Sequence, residues 1–131
     1  MTEDKAKSDY EEQAKSALEK IRTQIDELRV QADLAGAEAR DRLQQGIEAL
    51  RKRQGEAKAR LDDAQKAGSG AWKSVAKQTE SLVDDLGEAF GKLSGEVQAA
   101  VGAAGSAASK GADAFLAEWR KGRDARKKLL D

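Results

Sequence analysis

From Ala14 to Ala64 an apolar or small residue returns at every third or fourth position. The places are Ala14, Leu18, Ile21, Ile25, Leu28, Ala32, Ala35, Ala39, Leu43, Ile47, Leu50, Ala57, Leu61 and Ala64, with Gln54 filling the one polar place. The mean step lies between the ~3.5 residues of a supercoiled heptad and the ~3.6 of a straight helix. Such a stripe is the narrow seam of a long helix. A second stripe runs through Trp72, Val75, Thr79, Leu82, Leu86, Phe90, Leu93, Val97, Val101, Ala104, Ala108, Ala112, Phe115 and Trp119. At about 100° per residue it stays in phase from end to end. The chain has no proline, so nothing forces either helix to stop.

The two stripes mirror each other. Ala64 and Trp72 are equidistant from residue 68, and so are Leu61 and Val75, Leu50 and Leu86, Leu43 and Leu93, Ala35 and Val101, Leu28 and Ala108, Ile21 and Phe115, and Ala17 and Trp119. Sizes are complementary: Trp72 faces Ala64, Trp119 faces Ala17 and Phe90 faces Gly46, as interdigitated packing requires. Mirror pairing about one residue means antiparallel helices joined there. Residue 68 is Gly68, in the small-residue break Ala67-Gly68-Ser69-Gly70. Gly68 suits the left-handed position that ends a helix, and Ser69 suits the cap of the next. Two continuous helices paired in trans would satisfy the same mirror.

The predicted fold is therefore all-α: a long antiparallel two-helix hairpin of coiled-coil type. Its parts are a flexible N-terminus over 1–7, a first long helix over 8–66, a turn over 67–70 and a second long helix over 71–129, weak around 102–111. Ser8 and Glu11 fit a capping box at the first helix start. The seam is carried by Leu61, Val75, Leu50, Leu86, Leu43, Leu93, Trp72 and Trp119, and the turn by Gly68, Ser69 and Gly70. Each arm would reach about 80–90 Å at ~1.5 Å per residue. Two helices cover only one side of each seam. Val30, Leu34 and Leu116 lie off the seam, so they are the expected oligomer surface, most simply joining two hairpins into a four-helix bundle.

Charge agrees in places with the hairpin: Asp62 faces Lys73, Lys58 faces Glu80, Arg53 faces Asp85 and Glu11 faces Arg126, while Glu48 opposite Glu88 runs the wrong way. Exposed pairs of this kind contribute only about 0–1 kcal/mol each. Gly87, Gly91 and Gly95 form a GxxxGxxxG run that would admit another helix closely. They point away from the seam, so the expectation is an exposed flank, destabilised by about 1 kcal/mol per glycine relative to alanine. The basic run Arg120 to Lys128 spreads round its helix and suits a helix C-terminus.

Composition removes most chemistry. Lysine plus arginine and aspartate plus glutamate are 24 each, so no overall field draws the chain to nucleic acid, and none is expected as a partner. Cysteine and histidine are absent, which removes disulfides, thiolate chemistry, the commonest general base and the commonest transition-metal ligand. The adjacent carboxylates Asp62–Asp63 and Asp84–Asp85 diverge by about 100° on a helix and make no site. No phosphate-binding loop, nucleophile elbow or zinc spacing occurs. No enzyme and no cofactor are expected. The N-terminal residues carry no apolar signal core, and no run approaches the ~18 apolar residues of a membrane span. The expected compartment is the cytoplasm.

The stretch "SGAWKSVAKQTESLVDDLGEAF", preceded by the arm Ala14 to Gln65, resembles a loose group of small bacterial coiled-coil proteins. In these a charged helix is followed by a Ser-Gly-x-x-Trp-like junction and an amphipathic helix. Ser69, Gly70 and Trp72 carry the likeness, with one residue here between the glycine and the tryptophan. The resemblance spans Ala14 to Phe90 and brings no activity with it; Gly102 to Gly111 departs from it. A looser compositional likeness links the chain to phasins, apolipoprotein-type helices and late-embryogenesis-abundant proteins.

The functional expectation is a non-enzymatic structural or interaction module, a self-associating hairpin with a homo-oligomer as its first partner. The alternative is a reversible coat on a lipid or polymer-granule surface, where the hairpin would open and lay its seams on the apolar phase. A third reading, a stress protectant disordered in dilute solution, sits poorly with so regular a seam.

Overall fold

The structure is a computed structural model. It describes the backbone of residues 2–102 and 106–131, and the side chains of 5–102 and 110–131. The described residues contain no strand and form five helices: α1 (Thr2–Ala32), α2 (Ala37–Lys66), α3 (Ala71–Val101), α4 (Ser106–Lys121) and α5 (Arg123–Leu130). The expected pairing of Leu28 with Ala108, and the seam place Ala104, lie outside the described side chains.

The helices pack against one another around a single core. Between α2 and α3, a Cβ added at Gly46 would come within 2.9 Å of the Leu93 side chain, so Leu93 takes the place against Gly46 that the sequence mirror assigned to Phe90. Helix α1 runs back along α2. Lys7 Nζ donates to the carbonyls of Gln65 at 2.8 Å and Ala67 at 3.1 Å, Gln54 Nε2 donates to the Leu18 carbonyl at 3.3 Å, and Arg51 meets Asp26 at 2.9 Å. Helix α4 likewise runs back along α3, with Trp119 Nε1 donating to Asp84 at 2.8 Å. The outer helices then lie beside each other, Lys20 meeting Glu118 at 3.2 Å. Across the diagonal, the Tyr10 hydroxyl donates to the Ala76 carbonyl at 2.9 Å, and its ring lies 6.5 Å from that of Trp72. Leu18, Ile21, Ile25, Leu28, Leu43, Ile47, Val83, Leu86, Phe90 and Val97 are fully buried between them.

Several boundaries differ from those read in the sequence. The first arm is two helices, not one over 8–66. Helix α1 closes in tight turns, with Asp33 N–H bonded to Arg29 O at 3.2 Å, Leu34 to Gln31 at 3.0 Å and Ala35 to Ala32 at 3.1 Å. Gly36, extended at φ −61 and ψ 160, then caps α2. The second arm breaks at Gly102, which takes φ 69, a conformation that costs little only in glycine. It turns again at Gly122 before α5. Local propensity favours running straight on. What opposes it is coverage: a stripe buried by one helix leaves its other flank wet, and folding each arm back covers both flanks. The N-terminus is also helical from Thr2 rather than from the Ser8–Glu11 box. Lys7 ties that first stretch to the end of α2.

At the central turn, α2 ends at Lys66 and Ala67 is extended, its N–H bonded to the carbonyls of Asp63 and Ala64. The left-handed residue is Gly70, at φ 83, and not Gly68; Gly70 also holds the N-cap position expected of Ser69. Because the chain leaves α2 through an extended residue, its reversal falls later.

The glycine run is also not a bare flank. A Cβ at Gly87 would stand 2.6 Å from Leu116 Cδ2 and 3.2 Å from Phe115 Cε1, and one at Gly91 would stand 3.6 Å from Leu116 Cδ1. Helix α4 sits in the notch these glycines leave. Gly95, by contrast, has nothing within 4 Å of such a Cβ. Opposite signs therefore follow on one helix. Gly87→Val should destabilise by about 1–3 kcal/mol through overpacking, and Gly95→Ala should stabilise by about 0.5–1 kcal/mol. Urea midpoints measure both; equal shifts would mean that α4 does not occupy the notch.

Candidate functional site

The residues singled out in the sequence fall into three groups. Leu61, Leu50, Leu86, Leu43, Leu93, Trp72 and Trp119 are buried, while Val75 is half-buried beside the buried Ala76. Gly68, Ser69 and Gly70 are exposed at the tip between α2 and α3. Of the three off-seam residues, Leu116 is covered by the glycine notch, whereas Val30 and Leu34 stay 68% and 66% exposed. Val30 lies in the last turn of α1 and Leu34 in the turn that follows it, where α1 gives way to α2.

At the opposite end, α3 carries acids at Glu80, Asp84 and Glu88, spaced four apart, and the α4–α5 segment carries Arg120, Arg123 and Arg126, spaced three apart. The two rows meet as a ladder: Arg120 with Glu88 at 3.5 Å, Arg123 with Asp84 at 3.1 Å, and Arg126 Nε with Glu80. Asp84 is shared, since its other oxygen accepts from Trp119 Nε1. The innermost rung is the buried one. Arg126 is 2% exposed, its guanidinium carbon stands 3.5 Å from the Trp119 ring centre, and its Nη2 donates to the Trp119 carbonyl at 2.6 Å. Gly122 makes this possible, because a Cβ there would stand 2.6 Å from Arg126 Nη1. The ladder replaces two sequence pairings: Glu80 takes Arg126 instead of Lys58, and Arg126 takes Glu80 instead of Glu11. Glu11 keeps a buried Oε1 without a hydrogen-bond partner.

Burial governs titration here. It pushes the Glu80 carboxyl above its ordinary value of 4.5, against the opposing pull of the Arg126 hydrogen bond and charge. The Tyr10 phenol is pushed well above its ordinary value, by burial first and by the charge of Glu80 second. Beside the ladder a cavity of about 310 Å³ opens between α1 and the α4–α5 junction, walled by Ala17, Phe115, Trp119 and Arg126 and rimmed by Lys20 and Glu118. Among the described residues no group of acids is placed to hold a metal ion, and no helix is long and apolar enough to cross a membrane.

Comparison with protein-family models, with curated proteins and with solved structures finds no match to this chain.

Two parts of this region have a signal in the sequence. Tyr10 extends the seam by one further four-residue step, and the acidic and basic rows run in opposite directions at helical spacing. Their meeting needed the turn at Gly102, which places α4 against α3.

The buried rung has a pH signature. A carboxyl whose folded pKa is raised contributes stability that is fully present below about 4.5 and is lost as pH rises through the raised value. Arg126→Ala removes the hydrogen bond and the charge that hold the Glu80 pKa down, so that pKa should climb further and the loss should deepen. The variant should be destabilised by about 3 kcal/mol at pH 7, and by clearly less near pH 4. Chemical denaturation at the two pH values checks this; a penalty independent of pH would show that Arg126 does not serve as the counter-ion of Glu80.

Proposed function

We propose that the chain is a non-enzymatic structural or interaction module, a four-helix bundle built from one chain that works through self-association. The observation that carries the reading is the distribution of apolar surface. Both tryptophans and nearly the whole seam are packed inward, and the Gly87–Gly91 notch of α3 receives the partly buried Leu116 of α4. Val30 and Leu34 stand out as exposed large hydrophobic residues beside the α1–α2 turn. An exposed apolar pair on so charged a surface suits a contact point, and a second copy meeting the first at this end is the simplest occupant. The coat alternative would require the closed bundle to open and offer Trp72, Trp119 and the core leucines to an apolar phase.

The test is light scattering with oil-droplet flotation. The parent should associate with rising concentration. Val30→Glu with Leu34→Glu should weaken association at least about tenfold while circular dichroism stays unchanged, and droplets should recover neither protein. A parent that stays monomeric and floats with droplets would replace the module by the coat.

A further inference from the structure

The bundle is a hairpin folded double. Its inner pair, α2 and α3, is mirrored about residue 68 in sequence, with Gly46 meeting Leu93 three residues off that mirror, and its outer pair keeps nearly the same register. Lys20 meets Glu118, and a Cβ at Gly111 would stand 3.7 Å from Gln24. The two places where the chain passes from inner to outer pair are also mirrored, since Leu34 and Gly102 are equidistant from residue 68. Because α2 and α3 are antiparallel, both passages lie at one end, the end that carries Val30 and Leu34.

The closed fold does not account for the phase of the seam. Once a helix is broken and folded back, each piece can choose its facing independently. Yet Ala32, Ala35, Ala39 and Leu43 follow one helical line across the first break. Val97 and Val101 share one line with Ala112, Phe115 and Trp119 across the second. All except Ala39 and Val101 are buried, and those two are partly buried against the core. Alignment across both breaks is what two uninterrupted helices need.

From these observations we infer that two copies exchange their outer helix pairs: each chain straightens at residues 33–36 and at Gly102, and lays its α1 and α4 against the α2 and α3 of the other. The inference rests on the self-association proposed above and names its geometry. In the exchanged dimer α1 still pairs with α4 of its own chain, and α2 with α3. The contacts of α1 on α2 and of α4 on α3 are made between chains. Closed and exchanged forms bury the same seams, so the connections and the concentration decide between them. Closure within one chain benefits from an effective concentration of the order of millimolar, so the single-chain bundle is the dilute form.

The chain has no cysteine of its own, so introduced pairs report cleanly. Asp26→Cys with Arg51→Cys marks α1 on α2, whose native side chains meet at 2.9 Å. Lys20→Cys with Glu118→Cys marks α1 on α4, where they meet at 3.2 Å. Each pair is bridged with a short bis-maleimide in the dimer fraction from size exclusion, then run on denaturing electrophoresis. The first pair should give covalent dimers and the second only links within one chain. Two connection variants shift the balance in opposite directions. Gly36→Ala with Gly102→Ala strains the left-handed turn at φ 69 and favours unbroken helix, and should raise the dimerisation constant at least about tenfold. Ala37→Pro fits the first position of α2 but breaks a continuous helix, and should lower it at least about tenfold. Bridging of positions 26 and 51 within the Ala37→Pro monomer shows that this variant still folds. Dimers that link 26 to 51 only within a chain, or that ignore Ala37→Pro, would overturn the exchange and leave self-association standing. Monomers at millimolar concentration for parent and alanine variant alike would overturn both.

Discussion

A stripe one side chain wide needs cover on two sides, and the rest of the structure follows from that need. Leu50 on α2 and Leu86 on α3 are both buried, yet a two-helix pair would leave each of them wet along one flank. Full burial of such a side chain stabilises by about 1.5–3 kcal/mol. Breaking a helix at a glycine turn costs a few hydrogen bonds, each worth about 0.5–1.5 kcal/mol net. The chain meets most of that cost locally, because Asp33, Leu34 and Ala35 keep backbone partners as α1 ends. Burial along four helices outweighs two such breaks.

The two returning arms are held by different means. On the α1 side the contacts combine apolar burial with side chain to backbone bonds: Lys7 on Gln65 and Ala67, Gln54 on Leu18, Tyr10 on Ala76. On the α4 side they combine a steric notch with charge, Leu116 resting on Gly87 and three arginines facing three acids. Only the Arg126–Glu80 rung lies deep enough for its charge to be costly when unpaired. That rung also explains why α5 turns at Gly122 instead of continuing α4, since the turn brings the Arg126 guanidinium back over Trp119. The outer rungs are wet and serve mainly alignment.

The core is complete in one chain, and the apolar stripe keeps a common phase across the helix breaks. In the closed bundle and in the exchanged dimer proposed above, α2 stays packed on α3 and the tryptophans stay inside. The balance then rests on a handful of residues at one end, Leu34, Gly36 and Gly102 foremost. Leu34 is exposed and a Cβ at Gly36 or Gly102 would meet nothing within 4 Å, so these residues touch little of the core.

The apolar stripe and the burial of Trp72 and Trp119 were legible in the sequence, because helical period is a local property that packing only reads out. The pairing of Arg126 with Glu80, the covering of Leu116 and the breaks at 33–36 and Gly102 were not. A straight hairpin and one folded double place the same residues at the same mirror positions, so no count of spacings separates them. Gly102 is permissive and does not compel a turn, and the stretch from Ala32 to Ala37 contains no residue that forbids a helix. What separates the two is how many helices a narrow seam must touch before it is dry, and that is decided only when the arms meet in three dimensions.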